Sequence, residues 1–442
     1  MLIRFEFENW MSYKGRNSFS TIATREKQHG GRLPKVNRYR VRVSPVGAIF
    51  GGNASGKTSF VAALFFMQRF VTAGVRLQSL IPVRPYVLDA ENANARPSIF
   101  SVSMLIDERI YEYSFVITRT KVLRESLKEV VGKTERFLFE RKEGQIDFHG
   151  TVPEASPLFI IFDGTQDNQF FLTNSVFQKR KEYFHIYNWF AETLRIVAPD
   201  SRFEDFTEYV ANFGEIESDL NALLGALDTG IHRIGLIEIP MDKLSLPPET
   251  YQALEAQLKD GRMLMAPYRL TEVLVFQRKA AGITAYVLKS YHLNERNEEV
   301  EFEMDRESDG TRRVIALMPV FMQAVQSAGK VFVIDELDRS LHSIMTRELL
   351  QYFLDRCNGD TRSQILFTTH DLMLMDQDIL RRDEMWVTER DKKGESTLRG
   401  VSEYVGVRYD KNLLKSYLDG AFGGVPSIRI NKRKDNKEDA HA

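Results

Sequence analysis

Eight consecutive residues, Gly51-Gly52-Asn53-Ala54-Ser55-Gly56-Lys57-Thr58, have the types and spacing of G-x-x-x-x-G-K-[ST]. Glycines in such a run let successive backbone N–H groups turn inward around an anion. The lysine then reaches the β- and γ-phosphates of a nucleotide, and the hydroxyl of Thr58 becomes a ligand for Mg²⁺. Far downstream, Val331-Phe332-Val333-Ile334 runs into two carboxylates, Asp335 and Glu336. Asp335 suits a Mg²⁺ ion held through water, and Glu336 suits a general base that polarises an attacking water. A third apolar run, Ile365 to Thr369, ends in His370. A histidine at a strand end ordinarily just caps it, but following a carboxylate-ended strand it can contact a γ-phosphate. Finally, Glu307-Ser308-Asp309-Gly310-Thr311-Arg312-Arg313 opens a helix. Ser308 suits the N-cap, and Gly310 lets the backbone approach a phosphate closely, although a plain capped helix start would look much the same.

These groups need elements to position them. Ser44 to Phe50 reads as a short buried strand feeding the glycine-rich loop, and Ser59 to Met67 as a helix whose N-terminus faces the anion. Apolar strands of this kind are buried on both faces of a parallel sheet, and ligands bind at their C-terminal ends. The long separation of Lys57 from Asp335 excludes a compact small GTPase and fits a head interrupted by a large insertion.

In this order the motifs resemble those of the ABC-type ATPases: Walker A, signature, Walker B with its glutamate, D-loop and switch histidine. Ser308-x-Gly310-Thr311-x-Arg313 is similar to the S-x-G-T-x-R signature of the overcoming-lysogenization-defect-like group. Asp335-Glu336-Leu337-Asp338-Arg339-Ser340-Leu341-His342 and Tyr417-Leu418-Asp419-Gly420-Ala421-Phe422-Gly423-Gly424-Val425-Pro426 fit the same group. The resemblance covers residues 1–75 and about 300–428. It implies an α/β ABC-type P-loop ATPase head with an antiparallel β lobe and a helical insertion. It implies ATP and Mg²⁺ as ligands, with Thr58 and Asp335 on the metal and residues 51–58 on the phosphates. Ser308, Gly310, Thr311, Arg313 and Asp338 would serve the nucleotide of a second copy, so that sites form between subunits of a homo-oligomer built from dimers, up to a hexamer. Gln166, Gln169 and Gln178 are the candidates for the Mg²⁺-sensing glutamine. His342 is expected to be structural.

Composition bounds the rest. The 442 residues suffice for two or three domains, and 43% hydrophobic with 27% charged residues is ordinary globular usage. A net charge of −1 supplies no global attraction to DNA or membrane and leaves a local DNA-binding groove open. The single cysteine, Cys357, excludes an intrachain disulfide, and a cytoplasmic location is expected. Apolar runs fall well short of the roughly 20 residues of a membrane span. Residues 2–8 read as a strand and 20–43 as a solvated basic loop. Ser98–Ile106 with Arg109–Ile117, and 136–141 with 145–148, read as hairpins. Apolar spacing, as at Phe206, Tyr209, Val210 and Phe213, makes about 166–265 helical. Further strands are expected near 272–276, 284–288, 298–303 and 384–389. The domain reading is 1–165 and 266–428 for the two parts of the head, 166–265 for the insertion, and 429–442 for a disordered tail.

His185, His232 and His292 are scattered without metal-ligand spacing, and no G-x-S-x-G nucleophile motif occurs. The stretch after His370 is expected to be too short for a TOPRIM-type nuclease, so a destructive activity would come from another polypeptide. The resemblance therefore implies an ATPase subunit of a bacterial anti-phage system, with those of PARIS-type systems similar in size. Such a subunit holds a separate nuclease effector and releases it when a phage protein is sensed. ATPases of Septu or retron systems, and a RecF- or Rad50-like DNA-repair ATPase, stay open as alternatives.

Overall fold

The computed structural model describes residues 1–89, 96–132, 134–153, 156–199, 213–244, 246–258, 263–267, 273–279, 282–326, 329–404 and 411–424. Phe206, Tyr209 and Val210, the end of the C-terminal motif (Val425, Pro426) and the 429–442 tail lie outside the described residues.

A six-stranded sheet forms the centre, in the order Leu194–Val197, Val331–Ile334, Gln364–Thr369, Val46–Phe50, Met385–Arg390, Ser396–Gly400. The first five strands run parallel to their neighbours and the last is antiparallel. Every residue of Val46–Phe50, Val331–Ile334 and Gln364–Thr369 is buried, as strands covered on both faces must be. One cover is the helix Lys57–Ala73, which buries Phe60, Leu64, Met67 and Phe70. Full burial of each such side chain contributes about 1.5–3 kcal/mol. The other cover includes the helices Asp309–Gln326 and Ser343–Leu354, joined in one core with Phe332, Ile334 and Phe367.

Beyond the Lys57–Ala73 helix lies a seven-stranded antiparallel sheet, ordered Gln145–Asp147, Thr134–Lys142, Val122–Val131, Arg109–Ile117, Ser98–Ile106, Leu2–Glu8, Asn17–Ser20. The helix is thus sandwiched, with Phe5, Phe7, Phe100 and Phe115 of this sheet and Ile49 and Leu366 of the central one in a single core. The expected hairpin closes at Ile106↔Arg109, with Asp107 and Glu108 both left-handed (φ 46° and 59°), as a tight two-residue turn demands. The α/β head with an antiparallel lobe is therefore the architecture of the chain.

The 166–265 stretch is more mixed than its apolar spacing suggests. Helices occur at Phe171–Phe177, Phe213–Ala226 and Pro248–Gln257. The stretch also gives Leu194–Val197 to the central sheet, and Arg233–Ile239 to a five-stranded antiparallel sheet with Gly282–Leu293, Val273–Lys279, Met263–Pro267 and Glu299–Glu303.

The basic 20–43 loop is not solvated throughout. Arg32 is buried against Glu384 and donates to Ile379 O at 2.7 Å, while Thr24 donates to Asp383 Oδ2. Arg381, fully buried, pairs with Asp383 and donates to the carbonyl of Glu26. The loop is thus tied to Asp383, Glu384 and Arg381, some 350 positions away, and clamps the entry to Met385–Arg390. Among the described residues no helix is long and apolar enough to cross a membrane.

Candidate active site

The loop of residues 51–56 joins the strand Val46–Phe50 to the helix Lys57–Ala73, and its glycines are required by neighbours as well as by conformation. A Cβ on Gly56 (φ +120°) would stand 2.8 Å from Tyr13 Oη and 2.9 Å from Ser396 Oγ. On Gly51 it would stand 2.3 Å from Thr388 Oγ1 and 2.5 Å from Ser55 Oγ. The loop is pinned from below. Tyr13 donates to Gly56 O (3.1 Å), Trp10 Nε1 to Ser59 O (2.8 Å), and Thr388 to Phe50 O (3.2 Å). Because Thr388 spends its proton there, Ser55 is the donor in their 2.6 Å contact.

Lys57 is buried, and its ammonium meets three acceptors: Gly51 O at 2.7 Å, Gly52 O at 3.0 Å and His370 Nδ1 at 3.2 Å. An ammonium can only donate, so Nδ1 accepts and the ring proton sits on Nε2, which faces Glu336 Oε1 at 3.9 Å. Burial lowers the Lys57 pKa to about 8, against the pull of Asp338, Asp335 and Glu336. His370 is held below its ordinary 6.5, first by burial and then by the Lys57 charge, and is neutral at pH 7.

Asp335 is buried, and Thr368 donates to its Oδ1 at 2.5 Å while accepting the Glu336 N–H at 2.8 Å. Glu336 takes a left-handed backbone (φ 51°), which swings its partly exposed carboxylate toward the loop. Lys57, Thr58, Glu336 and His370 line one cleft of about 420 Å³. A hydroxyl on its wall and a carboxylate fixed behind it are the hard oxygen donors that Mg²⁺ takes, with phosphate oxygens and water completing the shell. Among the described residues no group of three His, Cys, Asp or Glu is arranged to hold a metal.

The signature residues stand elsewhere. None of Ser308, Gly310, Thr311 and Arg313 lines this cleft. Ser308 caps its helix as expected, accepting the Thr311 N–H at 3.0 Å, and both side chains are in exposed surroundings. A Cβ on Gly310 would lie 2.7 Å from Ser340 O. Arg313 is expected at the nucleotide of a second copy. It is buried in its own chain, with Nη2 3.3 Å from Glu336 O and 3.5 Å from Asp335 O, and Nη1 3.4 Å from Pro199 O. Asp338, expected to serve a second copy, accepts the His370 N–H of its own chain at 3.2–3.3 Å.

None of Gln166, Gln169 and Gln178 lines the cleft. The strand flanking Walker B is Leu194–Val197, whose Val197 O accepts the Asp335 N–H, and it leads into Ala198-Pro199. A four-residue strand in a helix-like stretch carries no period by which to find it. His342 accepts the Ile344 N–H and caps Ser343–Leu354, a structural role. Two cleft residues, Ser12 and Arg390, carry no sequence signal. The C-terminal motif braces the strand beneath the loop. Gly423 and Gly424, both left-handed (φ 69° and 73°), approach Glu389 and Thr388, and Tyr417 donates to Gly424 O at 2.9 Å.

No curated protein matches the chain in sequence. Solved structures similar to it include an SmcHead bound to the C-winged helix domain of ScpA (12% identity, 90% of this chain and 97% of that one, TM-score 0.42). Another is an SMC head domain from Thermotoga maritima (11% identity, 90% and 98%, TM-score 0.36). One family model spans residues 47–376, well over half of the chain and including Lys57, Glu336 and His370. The chain belongs to the family described as "AAA domain, putative AbiEii toxin, Type IV TA system".

Proposed function

We propose that this chain binds and hydrolyses ATP between two copies of itself, and that the ATP state holds or frees a separate toxic effector in anti-phage defence. The convergence of Lys57, His370 and Glu336 on one cleft, with Ser308 and Thr311 outside it, carries the ATPase reading. All three ammonium protons of Lys57 have an acceptor within the protein. A phosphate must therefore displace an acceptor, and His370 is the weakest-held at 3.2 Å. Its release turns the ring toward the terminal phosphate. Glu336 then takes a proton from the water that attacks the γ-phosphorus, the bond to the β–γ bridging oxygen breaks, and ADP leaves with that electron pair. Mg²⁺, held by Thr58 and Asp335, would neutralise charge on the β- and γ-oxygens.

The signature helix supports a site completed by a second copy, since its capped N-terminus offers N–H groups and the Ser308 and Thr311 hydroxyls away from its own cleft. The defence reading leans on the family's toxin–antitoxin description and on the S-x-G-T-x-R and D-E-L-D-x-S-L-H motifs. Within it, a PARIS-type sensor that restrains a TOPRIM-type nuclease until a phage protein arrives is the specific proposal.

Tagged protein would be isolated from its native locus with ATP present, and phosphate release measured beside Lys57→Ala. Turnover lost in the variant, together with a stoichiometric nuclease-like partner, is the expected result. Full turnover in Lys57→Ala refutes the site. Recovery of DNA without a protein partner replaces the defence reading with a repair ATPase.

A further inference from the structure

Arg390 closes the strand Met385–Arg390, and no motif gives it a task. On the central sheet this strand lies on one side of Val46–Phe50, while Gln364–Thr369 and Val331–Ile334 lie on the other. His370 and Glu336 therefore reach the cleft from one flank and Arg390 from the opposite one. Alternate residues of a strand share a face. Thr388 turns toward the loop, its hydroxyl 2.6 Å from Ser55 Oγ, and Arg390, two residues on, follows onto that side and lines the cleft with Lys57 and Thr58. Its Nε donates to Gly394 O at 3.1 Å, which anchors the root of the guanidinium. Among the described residues no carboxylate pairs with it, and its two Nη groups point no bond elsewhere. The strand is stiffened from both sides, by the phosphate loop at Thr388 and by the close approach of Gly423 and Gly424 to Glu389 and Thr388. Arg390 is thus a planar, always-charged donor, held on a braced strand beside a phosphate loop and without an acid to neutralise it.

Resting on the nucleotide-site reading above, we infer that Arg390 binds the α-phosphate of the nucleotide. A triphosphate laid along residues 51–58 with its terminal phosphate toward Glu336 must run its α-phosphate toward the opposite flank, where this guanidinium waits. The α-phosphate is common to ATP and ADP, so the residue sets affinity for both and does not discriminate the hydrolysed from the unhydrolysed state.

The test is calorimetric titration of the full chain with ATP and with ADP, in wild type, Arg390→Ala, Arg390→Lys and Lys57→Ala. Charge-assisted hydrogen bonds of this kind change affinity about tenfold or more. Arg390→Ala should weaken ATP and ADP by the same factor, about tenfold, with Arg390→Lys between it and wild type and a rise in KM exceeding any change in kcat. Arg390 is exposed, and a thermal melt matching wild type confirms the fold. Weakening of ATP alone overturns the inference, because the contact would then be to the γ-phosphate. Unchanged binding of both nucleotides overturns it too. Wild-type ATP affinity in Lys57→Ala would instead overturn the nucleotide site on which the inference rests.

Discussion

Raising the pH from 7 to 9 should weaken ATP binding about tenfold, through Lys57 alone. Burial lowers this ammonium's pKa to about 8. At pH 7 about nine in ten molecules carry the charge, and at pH 9 about one in ten. Phosphates hold the bound lysine in its charged form, so binding takes up a proton above pH 8 and affinity must fall there by about 1.4 kcal/mol over this range. Affinity is thus full below pH 8 and lost as pH rises through it. His370, held below 6.5, is neutral throughout and adds nothing. Stability of the nucleotide-free protein carries the opposite sign. With the folded pKa near 8 and the unfolded one at 10.5, the unfolded chain binds more protons between those values, so this lysine's contribution to stability rises with pH there. The assay is titration of a fluorescent ATP analogue across pH 6.5–9.5, with Lys57→Arg as comparison because a guanidinium stays charged over that range. A flat wild-type profile, or the same slope in Lys57→Arg, refutes the reasoning.

Three further outcomes are expected. Glu336→Gln should bind ATP and slow phosphate release by on the order of 10² or more while stabilising the ATP-bound oligomer, read by single-turnover kinetics and size-exclusion chromatography. Arg313→Ala should keep the ATP affinity of the isolated chain and lower turnover, since the guanidinium supports the carbonyl of Glu336; nucleotide titration and steady-state kinetics separate the two. Glu384→Gln should cost about 3–5 kcal/mol in urea unfolding, because Arg32 is left buried without its carboxylate.

The phosphate loop, Walker B and the His370 strand were legible because each is local: a fixed spacing, or an apolar run ending in a titratable group. Arg390 was not, being one of 60 basic residues and distinguished only by the sheet neighbour that brings it to the cleft. The basic 20–43 loop reads as solvated because its composition is visible, whereas its partners, Asp383 and Glu384, are remote in sequence. Arg233–Ile239 hides for a different reason: its residues are mostly half-buried, so neither a strict alternation nor a continuous apolar run marks it as a strand. Arg313 matches a motif by spacing, but its side chain turns inward beneath Glu336, a direction that spacing does not encode.

That inward turn has a further consequence. The same guanidinium supports the carbonyl of Glu336, and one turn earlier its helix presses Gly310 against Ser340 O, in the segment that follows Glu336. In a pair of copies arranged as proposed, the end each chain offers its neighbour and the base it keeps for itself sit on one stiff piece. Nucleotide in one cleft, by seating the neighbour's helix, would then bear on that neighbour's own base through Arg313 and Gly310.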